Sequence, residues 1–384
     1  MGRRWAGGEA PVQSKSLGCF DKSSMEREFF LLQAEHYTDP VWIPLEQARI
    51  FHQTWLYLGP AERVATPGTV WATSLAGRSL LVIRDEGGQL RGFYNLCPHR
   101  GMELCPEPGV FPRKRLVCPY HAWVYDLQGQ LRATAQQKGW GSDFCAQDYP
   151  LRPVQVAVWQ QLLFVSFQPQ VPPLPVYLAP MAQVLAGYAQ GEWRWLHHHT
   201  RPVVCNWKVY HDNTLCDYHV AVAHARTLHR LQGPVRHYRH CFGSYVNALV
   251  TPVPPTWLAR RRVRRDLPLE NQTHFYTFGV FPNWHLLALP DGMFISLRID
   301  PVAVDRCQVV TDIYGSPDAP LAEVLAELAA FVGEDVAIAE SVQRGYASGA
   351  YQPGPVHPLE ARILHQQKLL LAYLHGHPPA QIAG

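Results

Sequence analysis

CPHRGMEL, Cys97 to Leu104, and CPYHAW, Cys118 to Trp123, combine as C-x-H, eighteen intervening residues, then C-x-x-H. Two thiolates and two imidazoles, at Cys97, His99, Cys118 and His121, suit a zinc ion. They also suit a two-iron cluster in which histidines replace two of the cysteines on one iron. The C-x-H half departs from the C-x-x-C of a zinc finger. Pro98 and Pro119 stiffen the two loops, and Gly101 permits the tight backbone that brings amides near the sulfurs. Strand-like text surrounds the motifs. SLLVIRD and LRGFYNL flank the turn residues EGGQ, a hairpin signal, and VQVAVWQQLLFVSF at Val154 to Phe167 continues it.

The rest of the chain has a different texture. PQVPPLPVYLAP, residues 169–180, is Pro-rich and is expected to be a linker between a β module at 55–168 and a second domain at 181–384. In that domain FYTFGVF, WHLLALP, MFISLRID and CQVVTDIYG predict an antiparallel sheet, and the apolar spacing over Leu321 to Gly345 predicts a long helix. The fold class is therefore α+β. Residues 25–54 are expected to form a helical segment packed on the second domain, and residues 1–24 a loose tail.

Bulk properties exclude several classes. With 384 residues, 47% hydrophobic and 17% charged, the chain is a globular protein with a sizeable core. A net charge of +3 gives no reason to expect nucleic acid or an anionic membrane as partner. No run of 18 uncharged apolar residues predicts a membrane span, and the N-terminus lacks a secretory h-region. Nine cysteines without an export signal argue for a reducing, cytoplasmic setting rather than a disulfide framework. RRRVRR, Arg260 to Arg265, is either a solvated loop or a docking patch for an acidic redox partner.

NWKVYHDNTLCDYHVAVAH, Asn206 to His224, is the second chemical stretch. His219 and His224 stand five apart, so on an ideal helix their side chains diverge by about 140°. A π-bulge or a helix break is expected between them. Two imidazoles and one carboxylate on one face of Fe(II) leave the opposite face open for O2 and substrate.

The double Cys–His motif resembles Rieske proteins. The positions where high-potential members carry a disulfide hold Met102 and Tyr120, so the likeness is to lower-potential clusters. Together with Asn206, Trp207, Lys208, Asp212, Asn213, Tyr218, His219 and His224, the chain resembles the catalytic α-subunits of Rieske non-haem iron oxygenases. That resemblance implies a Rieske β domain plus a helix-grip catalytic domain. It implies a [2Fe–2S] cluster on Cys97, His99, Cys118 and His121, and a mononuclear Fe(II) on His219, His224 and Asp335, with Glu334 as the fallback acid. Asn213 and Tyr218 are expected to support the site.

The resemblance further implies that a reductase or ferredoxin delivers electrons from NAD(P)H, and that head-to-tail homotrimers form, with or without a small β-subunit. The substrate is a small organic molecule, an aromatic compound in the first instance and a quaternary or methylated amine in the second. A Rieske electron carrier without oxygenase activity is the rival from another class, and mononuclear iron content separates the two. Arg298 is a candidate for a substrate carboxylate, and Tyr245, Phe275, Tyr276, Phe281 and Trp284 for a ring or a cation.

One position departs from the family. The acid that joins the two metal centres across a subunit boundary stands three residues before the first iron histidine, and here that residue is Cys216. Asp217 is next to it, displaced by about 100° on a helix. The expectation is that Asp217 bridges His219 and His121 of the next subunit; the alternative gives that role to Asp212 or to water.

Overall fold

Strands 69–75 and 78–84 bury alternate residues on opposite faces, and this two-sidedness organises the chain. Val70, Ala72, Leu81 and Ile83 enter one small core together with Cys97, Cys118 and Trp123, whereas Trp71, Leu75, Leu80 and Val82 enter the large core shared with the second half. A period of two makes such a division automatic, because successive side chains point to opposite faces. In this computed structural model residues 28–190 and 192–378 are described; the tail expected at 1–24 lies outside them.

The first sheet has seven strands in the spatial order Leu56–Pro60, Leu162–Ser166, Pro153–Trp159, Leu90–Tyr94, Arg78–Arg84, Thr69–Leu75 and Gly109–Pro112. The hairpin at EGGQ forms as expected, Arg84 pairing with Leu90. Its neighbour turns through Gln160 and Gln161, both at positive φ, which matches the right-handed twist of a two-residue hairpin loop. A three-stranded sheet, Leu116–Val117, Val124–Tyr125 and Leu131–Ala133, holds the second Cys–His loop.

The second sheet is antiparallel throughout, in the order Arg194–Val203, Arg306–Gly315, Phe294–Ala303, Trp284–Ala288, His274–Val280, Val246–Pro252 and Arg239–Phe242. Helix Leu321–Ala347 is the predicted long helix, and helix Ala361–Leu374 follows it. The Pro-rich stretch at 169–180 does not behave as a free linker. It contains a helical turn, Leu174–Tyr177, and Tyr177 is buried, donates to the Phe281 carbonyl at 2.8 Å and stacks on Tyr245. A large amphipathic ring with a satisfied hydroxyl outweighs the local proline signal.

The N-W-K element positions the helix ahead of the histidine pair. Asn206 caps helix Trp207–Leu215, its Oδ1 accepting from the Lys208 amide at 3.0 Å. Trp207 Nε1 and Lys208 Nζ both donate to Glu46, at 2.7 and 2.5 Å, with Glu46 and Lys208 fully buried. Glu46 lies in helix Trp42–Arg49, so the N-terminal segment is bound to the helix it helps to orient.

Asp212 makes a second tie, accepting from Tyr37 Oη at 2.7 Å and Gln367 Nε2 at 3.1 Å. Burial raises its carboxyl to about 6, with the bonds from Tyr37 and Gln367 working against the rise. A folded-state value above the unfolded one means full stability below pH 4, lost as pH rises through 6. Asp212→Asn cannot pay that cost. Relative to the parent, its unfolding free energy should therefore gain up to about 3 kcal/mol between pH 4 and pH 8. Denaturant titrations at the two pH values measure this, and a pH-independent difference would contradict it.

Candidate active site

Each Cys–His loop is closed by its own backbone. Cys97 N bonds Met102 O and Gly101 N bonds Cys97 O; likewise Cys118 N bonds Trp123 O and Ala122 N bonds Cys118 O. Gly101 and Ala122, four residues after their cysteines, both have positive φ. The expectation for Gly101 is met, and Ala122 does the same work at greater steric cost. Cys97 and Cys118 are buried at the base, with Tyr125 Oη 3.5 Å from Cys97 Sγ. His99 and His121 face each other nearer the surface, ring centres 4.7 Å apart, and His99 stacks on Trp123. Two sulfurs inside and two imidazoles outside suit a two-iron cluster. Met102 and Tyr120 are exposed, and the eight described cysteines are free thiols.

The histidine pair is set by a helix break, not a π-bulge. Helix Trp207–Leu215 ends at Cys216, and His219 and His224 cap the two ends of a single turn, Val220–Ala223. That turn brings their Nε2 atoms to 3.0 Å. From the long helix, Asp335 Oδ1 approaches His224 Nε2 at 2.9 Å and His219 Nε2 at 3.5 Å. Three donors in neighbouring positions around one ion, each bonded at about 2.1 Å, stand about 3 Å apart. The observed triangle fits a single metal ion.

Neighbours orient the triangle. Asn213 Nδ2 donates to Asp335 Oδ1 at 2.6 Å. Glu334 Oε2 lies 2.6 Å from His224 Nδ1 and accepts from Thr227 Oγ1 at 2.6 Å. Adjacent acids on one helix thus reach His224 from its two sides, leaving Nε2 for the metal. Burial works against the charge of Asp335, yet bonds from His219, His224 and Asn213 hold its carboxyl below the ordinary range.

Residues 54–156 match the family described as "Rieske [2Fe-2S] domain", and residues 190–376 match "Ring hydroxylating alpha subunit (catalytic domain)". The chain belongs to the Rieske non-haem iron oxygenases. It is 27% identical over 348 residues to the chloroplastic choline monooxygenase of Beta vulgaris, covering 86% of this chain and 74% of that one. It is 26% identical over 386 residues to the glycine betaine monooxygenase oxygenase subunit of Pseudomonas aeruginosa, covering 90% and 89%.

Among solved structures, the quaternary ammonium Rieske monooxygenase CntA superposes with a TM-score of 0.76 at 22% identity, covering 90% of this chain and 96% of that chain. Naphthalene 1,2-dioxygenase with indole bound gives 0.72 at 18% identity, covering 91% and 93%. At those identities the structures establish the fold alone. The family uses a Rieske cluster and a mononuclear iron, and the two donor sets found here fit those groups.

Several expected roles in the oxygenase are corrected by the structure. Asp217 is only 3% exposed, and its oxygens are taken by Arg362 Nη1 at 3.0 Å and His240 Nε2 at 2.9 Å. It makes no bond to His219, whose Nδ1 is buried without a partner among the described residues. The helix break turns Asp217 inward, away from the face where a bridge would stand. Asp212 is committed to Tyr37 and Gln367. Tyr218 is 52% exposed and stacks on His357, so it does not support the triad. Cys216 lies 3.8 Å from Glu360 Oε1, and burial pushes its thiol up to about 12, so it carries no charge near neutral pH.

Arg298 is a staple between the sheets rather than a substrate ligand. It forks onto Asp300 and donates to the Leu58 and Tyr57 carbonyls of the first sheet. Of RRRVRR, Arg261, Arg262 and Arg264 form ion pairs with Glu327, Asp318 and Asp266, and Arg261 is buried, which a solvated loop would not show. No helix among the described residues is long and apolar enough to cross a membrane.

The cavity at the triad holds about 50 Å³. Phe275 alone of the five nominated aromatics lines it, alongside Phe331, Leu228, Leu287 and Leu297. His285 also lines it, with Nε2 2.8 Å from His211 Nδ1. Burial drives the His211 imidazole down to about 3, aided by Arg362, and takes His285 well below its usual value, so both are neutral. Sequence spacing offers no signal for that pair, because 74 residues separate its members.

Removing Asp217 leaves the fully buried Arg362 without its carboxylate. Asp217→Ala should lower unfolding stability by about 3–5 kcal/mol. Asp217→Ala combined with Arg362→Met should recover most of that loss. Denaturant midpoints of the two variants test it. Unchanged stability with abolished turnover would restore Asp217 to a bridging role.

Proposed function

We propose that this oxygenase is a monooxygenase of a small quaternary or methylated amine, supplied with NAD(P)H-derived electrons by a partner reductase or ferredoxin. The lining of the triad cavity supports this choice of substrate: the rings of Phe275 and Phe331 line it, and no described lysine or arginine does. Aromatic rings suit a cation. A water needs about 10–15 Å³ by the same measure, so the cavity has room for about three to five waters. That matches a compact methylated ammonium group and falls short of a fused ring system. The curated relatives named for choline and glycine betaine support the amine over the aromatic compound expected first.

In this proposal His219, His224 and Asp335 hold the mononuclear iron, and Cys97, His99, Cys118 and His121 hold the cluster. When bound, the cluster supplies single electrons and the iron supplies O2 activation for insertion into a C–H bond. Asn213 and Glu334 fix the ligand orientations. Phe275, Phe331, Leu228, Leu287 and Leu297 exclude water from the reacting space. Hydroxylation of an N-methyl or neighbouring carbon consumes one O2, two electrons and two protons, placing one oxygen atom in the product and the other in water; an N-methyl carbinol then breaks its C–N bond to release formaldehyde, a proton and the demethylated amine.

The same proposal includes a head-to-tail trimer. Leu96, Met102, Val117 and Tyr120 expose apolar surface around the cluster loops, while Tyr218 and Val222, the latter 82% exposed, do so beside the iron histidines. Two unlike apolar patches on one chain suit a heterologous contact that closes into a ring.

The test is product analysis of the purified holoenzyme with a surrogate reductase and a panel of choline, glycine betaine, other methylated amines and aromatic acids. Oxygen uptake matched by amine oxidation is expected. Turnover of aromatic acids with none of the amines would overturn the assignment. Asp335→Ala should lose one iron per chain while keeping the cluster's visible spectrum, and retention of all iron would remove Asp335 from the ligand set.

A further inference from the structure

A second cavity, of about 480 Å³, lies across the loop that follows His224 from the iron cavity. Leu228 lines the iron side of this loop, whereas Arg226, Thr227 and Arg230 line the other. Arg260, Arg261 and Trp257 complete the opposite wall. Two acids, Glu323 and Glu327, also line it, so four arginines leave a net charge of +2. Arg226, Arg230 and Arg260 have no carboxylate within ion-pair distance among the described residues; the field of Arg260 reaches Glu327.

Arg261 adds a buried charge behind the cavity wall. Its side chain is 2% exposed, its Nη2 donates to Glu327 at 3.1 Å, and its guanidinium lies 5.8 Å over the Trp257 ring. Its Nη1 is buried and has no hydrogen-bond partner. Asp291 is the other carboxylate whose field reaches Arg261, but it does not line this cavity. Guanidinium groups match carboxylate and phosphate oxygens in paired bonds. The cavity volume lies in the range of small-molecule sites.

We propose that this cavity binds a small anion of the carboxylate or phosphate class, held by Arg226, Arg230 and Arg260, with the buried charge of Arg261 behind them. Its occupant bears on the iron site through one side chain. Thr227, in the cavity wall, donates to Glu334 Oε2, and that same oxygen lies 2.6 Å from His224 Nδ1. The anion is either the acidic end of the substrate or a separate effector, and the chemistry of recognition is the same.

Calorimetric titration of the holoenzyme with inorganic phosphate, and separately with succinate, tests the site at ionic strength held constant with chloride. Saturable binding is expected, weakened at least tenfold by Arg230→Gln combined with Arg260→Gln, two exposed positions whose exchange leaves the core intact. No saturable binding of either probe, or binding unchanged in the double variant, overturns the proposal. Under turnover, phosphate that competes with substrate identifies the substrate's own acidic end. Phosphate that alters kcat, or shifts KM to a limiting value, identifies a separate effector.

Discussion

A carboxylate inside an apolar helix face must be met by donors, and the geometry around Asp335 follows from that requirement. Asp335 sits one residue after Glu334 and is surrounded along its helix by Phe331, Val332 and Val336. Its donors are Asn213, His219 and His224, which come from a different helix, a cap and the far end of a one-turn helix. These can meet one oxygen only if helix Trp207–Leu215 stops at Cys216 and the next turn starts in a new direction. The break is therefore the condition for a facial set of ligands. The buried bonds of Glu46 to Trp207 and Lys208 hold the broken helix in place, at the cost of desolvating an ion pair.

The β module solves a different problem. Its paired strands serve two cores at once, one that seats the cluster cysteines and one that belongs to the catalytic half. Arg298 and Asp312 tie the sheets together at strand Leu56–Pro60, Arg298 through backbone carbonyls and Asp312 through the Tyr57 hydroxyl. The cluster loops are thus carried on the face turned away from the catalytic sheet.

What was legible in the sequence was what is encoded locally. Cys97, His99, Cys118 and His121 lie in two short loops, so spacing and proline positions were enough to nominate them. The five-residue step from His219 to His224 required a break, and one is present. Asp335 was reached only through the resemblance, because a lone aspartate in an amphipathic helix carries no mark of its function. Asp217 shows the limit most clearly. Its position beside Cys216 suggested a substitute bridge, but its partner Arg362 is 145 residues away, and no local pattern announces a buried ion pair of that span. The Pro-rich stretch lies between the two family matches, but its packing was not legible, since composition describes chain stiffness while the burial of Tyr177 depends on Tyr245 and Phe281.

Cys216 can now be placed in that frame. A buried thiol that stays protonated cannot supply the charge that a carboxylate would place beside His219, and neither nearby aspartate is free to do so. The negative charge near the triad is instead concentrated in Asp335 and Glu334, both on the long helix and both directed at His224. Glu334 is in turn tied to Thr227, on a loop with the triad cavity on one side and an arginine-lined cavity on the other. One short loop separates the triad from the arginine-lined cavity, and Thr227 joins the two through Glu334. A hydrogen-bonded path of side chains from that wall to the iron ligands runs from Thr227 through Glu334 Oε2 to His224 Nδ1.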